Sequence, residues 1–243
     1  MNSGSAFITG ATRGIGAAIA RGLAQKGYRL AIGGRDIGTL SCKAEELSEL
    51  YHVPCLALPG DVGEEAYVKQ AFRKIDETLG SLDVLINNAG ISYIGLLTEM
   101  GIKEWERMIR TNLTSVFLCC KYGAAGMLQR KRGKIINISS VWGNVGASCE
   151  AAYSASKGGV NALTKALGKE LAPSNIQVNA IACGIIDTEM NQCFSPEERK
   201  ALEEEVPCGK FASPKEVSQM VNSLLDAPPY LTGQVITMDG GWI

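Results

Sequence analysis

The sequence predicts an α/β fold, a single domain built on a doubly wound, seven-stranded parallel sheet with helices on both faces. Three observations carry this expectation. Seven short apolar runs alternate with longer amphipathic segments. Several of those runs are apolar without a polar alternation, the pattern of strands covered on both faces. The length, 243 residues, suits one α/β unit. Strand–helix alternation of this kind calls for a parallel sheet with crossover connections.

The elements follow in order. The first run, residues 5–10, leads into a helical pattern at 14–26. Runs at 29–34, 53–58 and 82–87 precede helical patterns at 37–50, 64–79 and 103–129. The fifth run, 134–139, precedes a helix at 152–171. After the sixth run, 177–182, comes a Glu-rich stretch, 187–211, with no strand. A segment of that length in that place reads as a lid over the carboxyl edge of the sheet. A helix at 214–226 and a last strand at 234–238 complete the chain. No repeat, linker or low-complexity tract divides residues 1–243.

Composition excludes several function classes. Hydrophobic residues are 46% and charged residues 20%, enough to bury a large core, and the formal net charge is −1. That balance offers no basic face for nucleic acid. His52 is the one histidine, and the eight cysteines form no Cys-x-x-Cys pair, so no metal site is expected. The cysteines read as small buried hydrophobes in a reducing compartment. The N-terminal residues carry no signal or presequence pattern, and no apolar stretch has membrane-spanning length. A cytoplasmic location is expected, with uncleaved or trimmed organellar import as the alternative.

The first strand ends in Thr9-Gly10-Ala11-Thr12-Arg13-Gly14-Ile15-Gly16 and a helix begins at once. Glycines let the backbone turn tightly and approach a pyrophosphate, while the helix N-terminus offers free N–H groups and a positive dipole end. Strand, glycine loop and helix at the start of an α/β chain is the context of a Rossmann-type dinucleotide site. Gly10, Thr12, Arg13, Gly14, Ile15 and Gly16 are therefore candidate cofactor residues. The second strand ends Gly33-Gly34-Arg35. A carboxylate there would bind a ribose 2′-hydroxyl, whereas arginine suits a 2′-phosphate. Arg35 and Arg13 point to NADP(H), although Asp36 could partly neutralise Arg35.

Tyr153 and Lys157 stand at i and i+4 on a helical pattern and so share a face. A nearby ammonium is expected to stabilise the phenolate and lower the tyrosine pKa towards the working range. Ser140, at the end of the fifth run, can donate a hydrogen bond to a substrate oxygen.

The spacing Gly10-x-x-x-Gly14-x-Gly16, with Asn87-Asn88-Ala89-Gly90, Asn112, Ser139-Ser140 and Tyr153-x-x-x-Lys157, resembles the short-chain dehydrogenase/reductase family over nearly the whole chain. The resemblance implies roles. Tyr153 would protonate a carbonyl oxygen, and Lys157 would also hold the nicotinamide ribose. Asn112 would position a water of a proton relay. Asp61 and Val62 would hold the adenine, Asn88, Ala89 and Gly90 would line the ribose and pyrophosphate path, and Ile186 and Thr188 would meet the nicotinamide amide. The family usually has Pro-Gly after the sixth strand; Cys183-Gly184 stands here, which would loosen that turn. Without a histidine to activate it, Cys183 is no nucleophile.

Within the family the likeness is to 3-oxoacyl-(acyl-carrier-protein) reductases and related carbonyl reductases. It is carried by residues 175–179, 187–190 and 206–211, together with Leu231-Thr232-Gly233-Gln234 and Asp239-Gly240-Gly241. It implies NADPH-dependent reduction of a 3-oxoacyl thioester, as in fatty acid biosynthesis. The alternatives are a reductase of free ketones, β-keto esters or xenobiotics, and a catalytically inactive nucleotide-binding protein. Pocket walls are expected from 94–97, 141–142, 145–149 and 190–194. A homotetramer is implied by the resemblance and by apolar surface on the long helices. Acyl carrier protein, being acidic, would need a basic landing surface, for which Arg130-Lys131-Arg132 near the pocket mouth is the candidate.

Overall fold

The structure is a computed structural model that describes residues 4–192 and 194–243. The N-terminal residues 1–3 and Cys193, one of the expected pocket-wall residues, lie outside the described residues.

The seven strands are β1 (Ser5–Ile8), β2 (Arg29–Gly34), β3 (Cys55–Pro59), β4 (Val84–Asn87), β5 (Gly133–Ser140), β6 (Ile176–Cys183) and β7 (Val235–Met238). They form one parallel sheet in the order β3-β2-β1-β4-β5-β6-β7. The helices are α1 (Gly14–Gln25), α2 (Ile37–Tyr51), α3 (Glu65–Leu79), α4 (Ile102–Ile109), α5 (Ser115–Arg130), α6 (Trp142–Val145), α7 (Ala151–Leu171), α8 (Pro196–Glu205) and α9 (Pro214–Asp226).

Period-two alternation on buried strands decides which helix packs where. Ala6 and Ile8 of β1 face one side with Ile32 and Ile86, against Ile19 and Leu23 of α1, Leu40 and Leu47 of α2 and Val217 and Val221 of α9. Phe7 faces the other side with Leu85 and Ile135, against Phe72 of α3, Met127 of α5 and Val160 of α7. Phe7 and Phe72 meet edge to face at 5.6 Å. The strand order reverses between β1 and β4, so their carboxyl ends diverge and leave a crevice there.

Two departures from the sequence reading matter for the site. The helix expected over 103–129 is interrupted by a π-helical turn, Arg110–Thr114, between α4 and α5. One residue inserted into a helical ladder leaves the apolar period almost unchanged, so pattern alone does not show it; such turns recur at functional positions. The Glu-rich segment also contains helix α8. Its N-terminus is a capping box, Ser195 with Glu198, and Pro196 holds the first helical position. Among the described residues, no helix is long and apolar enough to cross a membrane.

Candidate active site

The glycine loop is fixed by close approach. Gly10 and Gly14 have φ of 65° and 53°, backbone that favours glycine. A Cβ on Gly10 would sit 2.9 Å from the Ala89 Cα, and one on Gly16 would collide with the Gly10 carbonyl. The loop is tied to the end of β4. The Thr9 Oγ1 accepts from the backbone N–H groups of Asn88 and Ala89, both at 3.0 Å. The Asn88 amide donates to the Thr9 and Gly10 carbonyls, also at 3.0 Å. Gly10, Thr12, Arg13, Gly14 and Ile15 line a cleft of about 1170 Å³, large enough for a dinucleotide and a small substrate. Gly16 is buried behind it, where it lets α1 close on the strand.

Arg35, Asp36, Asp61 and Val62 line the end of the cleft beyond β2. Arg35 is exposed and makes no ion pair among the described residues. Asp36 makes no ion pair with it: its carboxylate caps α2, accepting from the Thr39 N–H at 2.7 Å, and hydrogen bonds from the Thr39 side chain and N–H hold it below the usual carboxylate range. Arg13, the other expected phosphate ligand, forms an ion pair with Glu189 across the cleft mouth. A Cβ on Gly34 would lie 2.9 Å from the Thr12 Cγ2, so a carboxylate here would need the Thr12 side chain to shift.

At the other end, Ser140, Tyr153 and Lys157 converge, together with Asn88, Ala89, Gly90, Ile186 and Thr188. Ser140 is the last residue of β5, and its Oγ accepts from the Trp142 N–H at 3.2 Å. Tyr153 and Lys157 share one face of α7, with the Lys157 Nζ 5.7 Å from the tyrosine ring centroid. That Nζ donates to the Ile138 carbonyl at 2.8 Å. Burial lowers Lys157 to about 8. Burial also raises the Tyr153 phenol above its ordinary value, with a hydrogen bond to Ser140 acting against the rise. The expected lowering of Tyr153 by the ammonium is therefore not found. Desolvation is the largest influence on the phenol, and the Lys157 Nζ is turned to a carbonyl. A raised phenol stays protonated at neutral pH and is available as a proton donor.

Asn112 lies in the π-helical turn, fully buried, and does not itself line the cleft. Its amide bridges elements: it accepts from the Ile91 N–H at 2.8 Å and donates to the Ile91 carbonyl at 2.9 Å and to the Ser156 Oγ at 3.1 Å. Ser156 in turn donates to the Tyr153 carbonyl at 2.7 Å. A Cβ on Gly90 would stand 3.4 Å from the Asn112 Oδ1 and 3.7 Å from the Lys157 Nζ. Glycine there keeps open the space between the two.

Of the expected pocket walls, Ile94, Val141, Trp142, residues 146–148, Met190, Asn191 and Phe194 line the cleft, whereas Gly95, Leu96, Leu97, Val145, Cys149 and Gln192 do not. Lining residues that were not expected include Glu150, Leu202, Glu205 and Trp242. Glu150 stands three positions before Tyr153, a spacing that could have flagged it. Trp242 lies in the turn after β7 and has no local signature. The Cys183 turn is not loose: the Val141 N–H donates to the Cys183 carbonyl and the Gly184 N–H to the Met238 carbonyl, both at 2.9 Å. Burial pushes the Cys183 thiol up to about 12, consistent with an unreactive side chain.

The expected docking cluster is misplaced. Arg130, Lys131 and Arg132 precede the first residue of β5, whereas Ser140 ends it, so they sit at the opposite edge of the sheet. Eight strand residues separate them from the catalytic end by roughly 25 Å. Arg130 donates to the Leu82 carbonyl and Arg132 pairs with Asp83 at 2.7 Å. The misplacement follows from topology: a helix antiparallel to its strands ends at their amino edge.

Residues 5–199 match the family model described as short chain dehydrogenase. The 3-oxoacyl-[acyl-carrier-protein] reductase FabG of Aquifex aeolicus (strain VF5) is 38% identical over 236 residues, covering 97% of this chain and 95% of that protein. Carbonyl reductase family member 4 of Xenopus laevis is 38% identical over 234 residues, covering 96% and 95%. Among solved structures, a variant actinorhodin polyketide ketoreductase with NADPH superposes with a TM-score of 0.93 at 36% identity, covering 98% and 97%.

Proposed function

We propose, from the premise that this chain belongs to the short-chain dehydrogenase/reductase family of oxidoreductases acting on CH–OH and C=O groups, that it reduces a 3-oxoacyl thioester to the 3-hydroxy product with NADPH. The observation that carries this reading is one cleft with Arg35 unpaired at one end and Ser140, Tyr153 and Lys157 gathered at the other.

The residues present fit a dinucleotide. The glycine loop would offer backbone N–H groups to the pyrophosphate, Asp61 and Val62 would hold the adenine, and Arg35 would bind the 2′-phosphate. Ile186 and Thr188 border the nicotinamide amide. When bound, NADPH supplies the hydride. The protein's part is placement and proton transfer. Ser140 donates to the ketone oxygen and steadies the charge that develops on it. Tyr153 gives that oxygen its proton. Lys157 holds the ribose hydroxyls and favours the phenolate left behind, and the space beside Gly90 lets a water link it to Asn112. Residues 187–211, with α8 pinned through Arg199 to Asp187, act as the lid. A screen of NADPH oxidation over acetoacetyl thioesters, β-keto esters and aryl ketones tests the assignment. Oxidation with none of them would refute it.

The second reading, a reductase of free ketones or β-keto esters, is favoured by one observation: the basic cluster lies on the edge remote from the cleft. Steering depends on charge near the mouth. Short 3-oxoacyl thioesters should accordingly be reduced with only modest preference for the carrier-linked form. The check is the ratio of catalytic efficiencies for carrier-linked and small thioesters at low and physiological salt. A carrier preference above about a thousandfold that survives salt would mean a docking surface elsewhere.

Assembly is proposed as a homotetramer. Ile102 and Trp105 of α4, Phe117 and Leu128 of α5 and the terminal Ile243 leave apolar surface exposed, which symmetric packing would cover. Light scattering at micromolar protein should give four times the chain mass; a monomer mass would refute it.

A further inference from the structure

Three side chains that the reduction chemistry does not use meet at the substrate end of the cleft. Trp142 and Trp242 pack ring against ring, with centroids 4.9 Å apart and planes at 60°. Both line the cleft together with Glu150. Trp242 is held there by a built turn, in which the Asp239 carboxylate accepts from the Gly241 and Ile243 N–H groups, both at 3.0 Å.

Glu150 is half-buried, and no lysine or arginine pairs with it among the described residues. Burial pushes its carboxyl above the usual range, with the Trp142 indole N–H opposing the rise. It precedes α7, yet its side chain makes no capping hydrogen bond. Helix capping therefore does not account for it. The same carboxylate lines the cleft that Tyr153 and Ser140 line.

A carboxylate drawn partly out of water gains from a counter-ion. Indole faces attract cations too, most strongly when the cation is desolvated. The other charges at this end leave the place open. Glu205 adds a second carboxylate, Arg13 is taken up by Glu189, and the Lys157 Nζ points to the Ile138 carbonyl. An anionic ketone would meet two carboxylates here.

We infer that the substrate end of the cleft takes a ketone bearing a cationic nitrogen, its charge held by Glu150 and the Trp142–Trp242 pair while its carbonyl lies at Ser140 and Tyr153. The inference rests on the reading of Ser140 and Tyr153 as the groups that hold the carbonyl. It sets a charge ranking for ketones at that site, in which the neutral acyl end of a 3-oxoacyl thioester stands below a cationic ketone and above an anionic one.

The test uses two ketones of one shape, trimethylammonioacetone and neopentyl methyl ketone, which differ by a quaternary nitrogen in place of a quaternary carbon. Calorimetric titration of the full-length protein reads binding without requiring turnover. The cation should bind at least about tenfold more tightly, and Glu150→Gln should bring the ratio near one. Should that variant fail to fold, Trp242→Leu, at the chain end, is expected to shrink the ratio in its place. Equal affinities in the wild type, or a ratio untouched in Glu150→Gln, would overturn the inference. Turnover is read separately: absence of NADPH oxidation with the cationic ketone, the neutral ketone and the thioesters alike would count against ketone reduction, and the binding ratio would still judge the cation site.

Discussion

Tyr153→Phe should leave NADPH binding nearly intact and lower turnover by at least about a hundredfold, the usual lower range for removing a general acid. The substitution deletes one oxygen and keeps the ring that faces the Lys157 Nζ. The local scaffold should survive, because the neighbouring contact to Ser156 uses the Tyr153 backbone carbonyl and not the phenol. The lost group is the one whose proton is held by burial. A phenol is protonated at neutral pH, so its proton is present when the carbonyl oxygen becomes basic. Fluorescence titration with NADPH gives the binding comparison, and single-substrate kinetics the turnover. Retention of more than about a third of wild-type turnover would sink the assignment of Tyr153 as the acid.

How much of this was legible in the sequence depends on the range of the interaction. The seven strands were legible because two-sided burial writes itself into contiguous residues such as Leu30, Ala31 and Ile32. The glycine loop was legible because backbone sterics admit few residues at Gly10, Gly14 and Gly16. Tyr153 and Lys157 were legible because four residues make one helical turn. What was missed depends on distant parts of the chain. Trp242 reaches the cleft only because β7 pairs with β6 and Asp239 turns the terminus back. The π-helical turn at Asn112 shifts the helix by one residue without disturbing its apolar pattern.

Charge was the least legible property. Read along the chain, Arg13 and Arg35 looked equivalent, and Arg130, Lys131 and Arg132 looked like a landing surface. In the fold Arg13 meets Glu189, which is 176 residues away, and Arg132 meets Asp83. The phenol of Tyr153 shifts opposite to the expected direction because burial, invisible in a four-residue spacing, raises it. Partners and desolvation are tertiary facts, and each reversed or reassigned a local expectation here. Asp36 is the converse case, since a near-neighbour cap on Thr39 removes it from competition for Arg35.

That asymmetry leads to the cofactor prediction. NADPH should be preferred over NADH by between about tenfold and about a hundredfold in kcat/KM, and Arg35→Asp should bring the ratio to one or below. Each charge-assisted hydrogen bond to a phosphate is worth roughly 1.5–3 kcal/mol, and about 1.4 kcal/mol is tenfold. Arg35 supplies that bond without first breaking an ion pair. Arg13 must leave Glu189, but an exposed pair costs little to exchange, so Arg13 should contribute less than Arg35. A carboxylate to select NADH at Gly34 would have to displace the Thr12 side chain, whose Cγ2 stands 2.9 Å from a Cβ there. Position 35 has open solvent around it, so an aspartate there can repel the 2′-phosphate and accept from a ribose hydroxyl. Initial rates with both cofactors, for wild type, Arg35→Asp and Arg13→Ala, measure all three effects. Equal efficiency with both cofactors in the wild type, or an Arg35→Asp ratio unchanged from it, would show that this charge does not select the cofactor.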